Sequence, residues 1–208
     1  MAVITISRMY GSGGSEVARR IATSLGWTLL DNALVDAVAQ RLGVTAADVE
    51  AVEERVPTLV QRLADAMVFT SPELAPATTE ATMPPSDERV LEVTKRIIAE
   101  AVATGNVVLV GRGAQCMLAA RRDALHAFCY APMDALVARV AARRGIPPDE
   151  ARREVEEINS QREHYVKANW KRKWKAHENY HLCLNTGWLG TEGASDLVLA
   201  AARKCLGI

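Results

Sequence analysis

The 208-residue chain has no excess of either charge, since 25 lysines and arginines balance 25 aspartates and glutamates. That balance argues against a surface built mainly to coat nucleic acid or an acidic membrane, so any electrostatic function must be local. Paired cysteines are also missing. Cys116, Cys129, Cys183 and Cys205 lie far apart, with no CxxC pair and no histidine at metal-ligand spacing. This excludes a disulfide framework or a thiolate zinc site as the organising element and reads as free thiols in a reducing compartment. No apolar run is long enough to span a bilayer. The N-terminus enters a strand-like segment directly, without the charged start, apolar middle and cleavage site of a secretory signal, so a cytoplasmic location is expected. Internal repeats are absent. With 49% apolar residues, residues 1–208 can bury one sizeable core and are expected to form a single domain.

What is present alternates between short β-rich runs and amphipathic stretches. Residues 2–7 read as a strand, followed by Gly11, Gly13 and Gly14 and then by Val17, Ile21 and Leu25 at helical spacing. Residues 27–30 suggest a second strand. Asp31 or Asn32 is placed to cap a helix carrying Leu34, Val35, Val38 and Leu42, which Gly43 stops. Thr45 with Asp48 resembles a capping box for a helix carrying Val49, Val52, Val56, Leu59 and Leu63, kinked or split at Pro57. Residues 70–86, rich in threonine, proline and alanine without periodicity, read as a surface loop. Asp87 then caps a helix with Val90, Thr94, Ile97, Ile98 and Ala101 on one face, ended by Gly105-Asn106. Residues 107–110 (VVLV) form an apolar run typical of a strand covered on both sides, and 126–131 and 181–185 are further strand candidates. Helices between strands imply a parallel sheet. A last helix over about 192–205 places Ala194, Leu197, Val198 and Ala201 on one side. Pro147-Pro148 opens a charged helix whose narrow stripe, Ala151, Val155 and Ile158, predicts the least firmly docked element of the fold.

The glycine cluster carries the chemistry. A glycine-rich turn from strand to helix aims backbone N–H groups and the positive helix end at one point, which suits a phosphate. Against the pattern GxxxxGK[ST], Arg8 occupies the first glycine position, Gly13 the second, Gly14 the lysine position and Ser15 the hydroxyl position. The lysine that normally spans the outer phosphates is missing, and its charge-assisted hydrogen bonds are worth about 1.5–3 kcal/mol each. Another cation must supply them. Arg8 is nearest in sequence, although an arginine there could equally pack on the glycine loop or pair with Glu16.

The segment ITISRMYGSGGSEVARRIATSLGW resembles the opening of the cytidylate kinase-like proteins, relatives of the bacterial cytidylate kinases. LGWTLLDNALV is similar to the start of their monophosphate-binding part, and VVLVGRGAQCML to their third strand and Gly-Arg turn. RVAARRGIPPDEARREVEEINSQREHYVK resembles their lid, and HLCLNTGWLGTEGASDLV their closing strand and helix. The resemblance implies a P-loop NTPase-type three-layer α/β/α fold, with a five-stranded parallel sheet, a monophosphate-binding helical region over 32–90 and a lid over 145–177. It also implies ATP-dependent phosphoryl transfer, with Mg2+, to a nucleoside monophosphate such as CMP or dCMP. Gly11, Ser12, Gly13, Gly14, Ser15 and Glu16 would hold the nucleotide, with the Ser15 hydroxyl also toward the metal. Arg112 falls where the family places an arginine near the monophosphate, with a strand-end salt bridge as its other reading. Asp31 would contact the acceptor or cap a helix. Among the lid cations, Arg162 and Lys167 best match those that fold over phosphates, so Arg8, Arg162 and Lys167 form the candidate catalytic set. Arg143 and Arg144 could simply be the solvated end of a helix. The third strand ends Val110-Gly111-Arg112-Gly113, without the aspartates that cytidylate kinases carry before the glycine and after the arginine.

Residues 167–175 (KANWKRKWK) hold five cations, two tryptophans and no acid. They could form a surface for single-stranded nucleic acid, a helix with Trp170 and Trp174 packed inward, or part of the lid. Three function classes follow: a nucleotide kinase, a nucleotide-binding module with a degenerate loop and no turnover, and a nucleic-acid binder acting through 167–175. A nucleoside monophosphate is the expected partner; a homo-oligomer is left open, and neither a membrane nor nucleic acid is expected.

Overall fold

The computed structural model of the chain describes residues 1–49 and 87–208. Val3–Arg8 form β1, Thr28–Leu30 β2, Val107–Val110 β3, Ala124–Tyr130 β4 and Leu182–Asn185 β5. They make one sheet in the order β2-β3-β1-β4-β5, every pair parallel. Each crossover therefore needs a helix, and the described helices are α1 (Gly14–Leu25), α2 (Asn32–Leu42), α3 (Asp87–Thr104), α4 (Ala114–Met117), α5 (Met133–Arg144), α6 (Pro148–Trp170) and α7 (Thr186–Leu206). A further helix begins at 46, opened by the expected capping box: Thr45 Oγ1 donates to Asp48 Oδ2 at 2.6 Å and accepts from the Asp48 amide at 3.2 Å. Val52, Val56, Pro57, Leu59, Leu63 and the loop expected over 70–86 lie outside the described residues.

Strand alternation sorts the core into two layers. Ile4, Ile6, Val108, Val110, Leu125 and Ala127 face Val17 and Ile21 of α1 and Ala194 and Val198 of α7. Val3, Val107 and Leu109 face Leu34, Val35 and Val38 of α2 and Val90, Ile98 and Val102 of α3. Each fully buried valine or isoleucine contributes about 1.5–3 kcal/mol, which holds the strand tips in register beneath the site. The result is the three-layer α/β/α P-loop fold.

β4 begins two residues before the expected 126, the helix α4 has no expected counterpart and α5 has one only in its end at Arg143 and Arg144, and further differences lie in α7, α3 and the segment after α6. α7 starts at Thr186, runs through a non-helical Gly190 (φ 70°, ψ 176°), and buries Ala194, Val198, Leu199 and Ala202 while Leu197 stays 47% exposed. On this alanine-rich helix the buried face sits one residue round from the one expected. α3 buries Val102 beside Val90, Thr94, Ile97 and Ile98, leaving Ala101 half-buried. The Trp170/Trp174 helix does not form. α6 ends at Trp170, with Lys171 as a left-handed cap at φ 55°, and Trp174, beyond that break, packs with Phe128 and Tyr180 in the cluster that Trp170 also joins. The Trp174 ring meets Phe128 edge-on at 5.5 Å. Both indoles still turn inward, Trp174 fully and Trp170 partly, and Lys167, Lys171, Arg172, Lys173 and Lys175 are exposed. Among the described residues no helix is long and apolar enough to cross a membrane.

α5 and α6 form a hairpin over the carboxyl ends of the strands. The stripe of α6 is seated by Ala151 and Val155, both fully buried against Leu136, Val137 and Val140 of α5, while Ile158 stays half-buried and Asn159 and Val166 are buried further along.

Candidate active site

The glycine loop between β1 and α1 is held by its carbonyls. Ser12 O accepts from Thr186 Oγ1 at 2.6 Å and from Arg139 Nη1 at 3.2 Å, while Arg139 Nη2 ties back to Thr186 O at 2.6 Å. In a trans peptide the N–H points opposite the C=O, so pinning Ser12 O outward turns the Gly13 amide inward. The N-cap residue of α1 is Gly13, which brings no capping side chain, and the helix's first internal bond is Val17 N to Gly13 O at 3.0 Å. The amides of Gly14, Ser15 and Glu16 therefore emerge from the helix end without an intrahelical acceptor. Together with the helix dipole they form a cradle for an anion. The Glu16 side chain points elsewhere, pairing with Arg19 at 2.8 Å and Arg20 at 3.1 Å on the outer face.

Arg8 stands beside this cradle. A Cβ built on Gly14 would collide with Arg8 Cβ, lie 3.0 Å from Arg8 Cγ and 3.3 Å from Cys129 Cβ. Residue 14 is thus glycine because Arg8 fills the space that a side chain there would need. The Arg8 guanidinium runs past the bare Cα of Gly111 to Asp31, with Nη2 3.4 Å from Oδ1. Arg8 packs against Gly14 of the glycine loop, one of the readings open for it. Asp31 is the N-cap residue of α2 but makes no side-chain cap bond, and Arg8 pairs with Asp31 rather than Glu16.

Arg8 and Asp31 line a cavity of about 260 Å³ together with Arg112, Arg162, Gln161 and Tyr165. Gly111, Arg112 and Gly113 all take positive φ, 73°, 53° and 68°. For arginine this conformation costs on the order of 1 kcal/mol, the kind of strain that collects at functional sites. The turn is clamped from above: a Cβ on Gly113 would meet the Trp170 ring, with Cε3 at 2.8 Å. Arg162 reaches over from α6, and its Nη1 donates to Arg8 O at 2.8 Å. Burial, then the neighbouring charge of Arg8, pulls the Arg162 guanidinium down to about 9. Burial likewise lowers Arg8, with Asp31 opposing. Arg8, Arg112 and Arg162 bring three guanidiniums to one cavity lining, groups whose planar donor forks suit a phosphate.

A family model described as the cytidylate kinase-like family matches residues 3–187. The chain belongs to this family. Among solved structures it is similar to an uncharacterized protein from Eubacterium ventriosum, at 20% identity with a TM-score of 0.71, covering 98% of this chain and 99% of that one. A gluconokinase from Sinorhizobium meliloti 1021 is 12% identical with a TM-score of 0.52, covering 99% and 94%. A shikimate kinase from Bacteroides thetaiotaomicron is 15% identical with a TM-score of 0.51, covering 100% and 99%. At such identities the likeness speaks for the fold alone. No curated protein matches the chain.

For a member of this family, the site unites most of the residues singled out from sequence. Gly11 to Glu16 form the loop and helix end, and Arg8, Asp31, Arg112 and Arg162 share one cavity. Lys167 stands apart, exposed on α6 and outside the cavity lining. Five participants were missed: Tyr10, Gln115, Arg139, Asn159 and Thr186. Gln115 is 1% exposed, lines the cavity and keeps Oε1 without a hydrogen-bond partner among the described residues. Buried glutamine in an otherwise apolar stretch was the signal available for it. Among the described residues no group of three or more His, Cys, Asp or Glu could hold a metal ion by itself. The Asp31 carboxylate lines the cavity, and Ser15 stands at the start of α1. Mg2+ keeps much of its water and is commonly held by one or two protein ligands plus phosphates, so this sparse set fits a metal arriving with a nucleotide.

Proposed function

We propose that the chain transfers the terminal phosphoryl group of ATP, as its magnesium complex, to a nucleoside monophosphate, with CMP and dCMP as first candidates. The observation that carries the reading is the convergence of Arg8, Arg112 and Arg162 on one cavity beside an uncapped helix end. ATP supplies the phosphoryl group, and Mg2+ offsets the charge of its phosphates. The chain's own part is placement. Inward amides from Gly13 to Glu16 receive the polyphosphate, and the Ser15 hydroxyl would help hold the metal. Arg8, between loop and cavity, takes the place of the missing lysine and follows the group in transit. Arg112 and Arg162 hold the acceptor phosphate in line and neutralise charge as one P–O bond forms and the other breaks, leaving ADP and a nucleoside diphosphate. Asp31 is released from Arg8 as the phosphates arrive and orients the acceptor. Lys167, at the edge of the lid, adds positive field without entering the cavity. We take 145–177 as the lid and 32–90 as the acceptor-side region of one domain working in the cytoplasm.

A second reading, nucleotide binding without turnover, draws on the absent loop lysine and the absent acids around Arg112. The nucleic-acid reading has less behind it, because the inward tryptophans leave residues 167–175 without exposed stacking platforms. Incubation with labelled ATP, Mg2+ and a panel of ribo- and deoxynucleoside monophosphates separates the three. Labelled diphosphate in any arm supports the kinase. A silent panel with measurable ATP affinity favours the binding module, and steeply salt-dependent uptake of single strands favours the third.

A further inference from the structure

The contacts around Tyr10 are denser than phosphate binding requires. Its amide donates to Asn159 Oδ1 at 2.8 Å, and its hydroxyl donates to Glu154 Oε1 at 2.7 Å. The ring carries Arg143 at 5.0 Å and Arg162 at 5.8 Å from its centroid. All these partners belong to α5 and α6. Glu154 also pairs with Arg144 at 3.5 Å, so the end of α5 is drawn into the same knot. Asn159 is 4% exposed, and its Nδ2 has no partner among the described residues; its carbonyl oxygen is spent on the loop amide. One residue of the glycine loop is thus held at three points by the lid helix: main chain, ring and hydroxyl.

Resting on the kinase reading above, we propose that Tyr10 is a positioning residue that couples the state of the glycine loop to closure of the lid. Arg162 is the shared part. Its guanidinium sits over the Tyr10 ring, bonds to Arg8 O and lines the cavity. A loop held in shape by a polyphosphate keeps Tyr10 where α6 can engage it, and that engagement brings Arg162 onto the transferred group. A loop that loses the polyphosphate shifts Tyr10 and loosens Asn159, Glu154 and Arg162 together. A cation over an aromatic ring and charge-assisted hydrogen bonds each stabilise the engaged state of the lid. Together they bias the lid equilibrium.

Hydrogen exchange of the amides over 148–166, measured with and without saturating MgATP and alongside ATP affinity, tests the coupling. In the wild-type chain nucleotide should slow exchange across this span at least tenfold. Tyr10→Ala should abolish that nucleotide-dependent gain and weaken ATP binding tenfold or more, without a matching loss in Tm. Tyr10→Phe, which keeps the ring and the amide, should recover most of it, and Asn159→Ala should behave like Tyr10→Ala. A purely structural role would loosen the lid equally in both states, and that outcome overturns the proposal. So does a Tyr10→Ala variant whose lid still responds to nucleotide. A wild-type chain that takes up no ATP overturns the kinase reading and this inference with it.

Discussion

Arg8 and residue 14 compete for one space, and that competition can be measured. A side chain at 14 begins in contact with Arg8 Cβ, an atom fixed to the backbone, so rotation cannot relieve the overlap. Gly14→Lys alone should therefore cost about 1–3 kcal/mol of stability, as overpacking does. Arg8→Gly alone costs the strand about 0.5–1 kcal/mol, which the fold should survive. It also removes two charge-assisted bonds to the group in transit at about 1.5–3 kcal/mol each. At about 1.4 kcal/mol per tenfold, phosphoryl transfer should fall between a hundredfold and ten-thousandfold. The double variant Arg8→Gly/Gly14→Lys returns a cation to the same neighbourhood from the other side of the loop. Its Tm should exceed that of Gly14→Lys, and its turnover should exceed that of Arg8→Gly by at least tenfold, a coupling that independent sites would not show. Turnover of labelled ATP and thermal melting of the four proteins suffice as assays. A double variant no better than Arg8→Gly, or Gly14→Lys with wild-type stability and activity, refutes the reasoning.

Arg162→Ala should lower turnover more than tenfold without unfolding the protein; wild-type-like kinetics would remove it from the catalytic set. Arg112→Gly relieves a positive φ, so Tm should hold or rise while acceptor turnover drops more than tenfold. A clear fall in Tm would make Arg112 a structural brace instead. His126 is 3% exposed, with Nδ1 2.8 Å from Thr5 Oγ1 and its ring stacked on His181 at 5.0 Å. Burial, with the His181 charge next, holds it down to about 4, so the unfolded chain takes up the proton first. Stability is complete above the unfolded pKa of about 6.5 and declines as pH falls toward 4, by about 2 kcal/mol at pH 5. Urea midpoints at pH 7.5 and 5 should show this loss in the wild type and much less of it in His126→Gln; equal losses would contradict it.

The glycine loop, its strand and its helix were legible because each depends on neighbours in sequence, and so was the Thr45–Asp48 box. Asp31 was ambiguous for a physical reason: at a helix start a carboxylate can turn to the amides or away from them, and only the arrival of Arg8 decides. Trp170 and Trp174 mimic helical spacing, but a left-handed Lys171 breaks the helix between them, which periodicity cannot reveal. Arg139, Asn159 and Thr186 were hidden because their partners are far along the chain. Arg139 meets Ser12 across 127 residues, and Asn159 meets Tyr10 across 149. Such pairings come from the topology, and a missing lysine gives no hint of which distant groups compensate.

The loop amides offer the most direct test. Titration of the isotopically labelled wild-type chain with MgATP, followed by amide resonances, should shift Gly13, Gly14, Ser15 and Glu16 together and to saturation, with the Arg8 and Arg162 side chains moving in step. Unmoved loop amides at saturating ATP, or shifts confined to residues 167–175, would contradict a polyphosphate held at the head of α1.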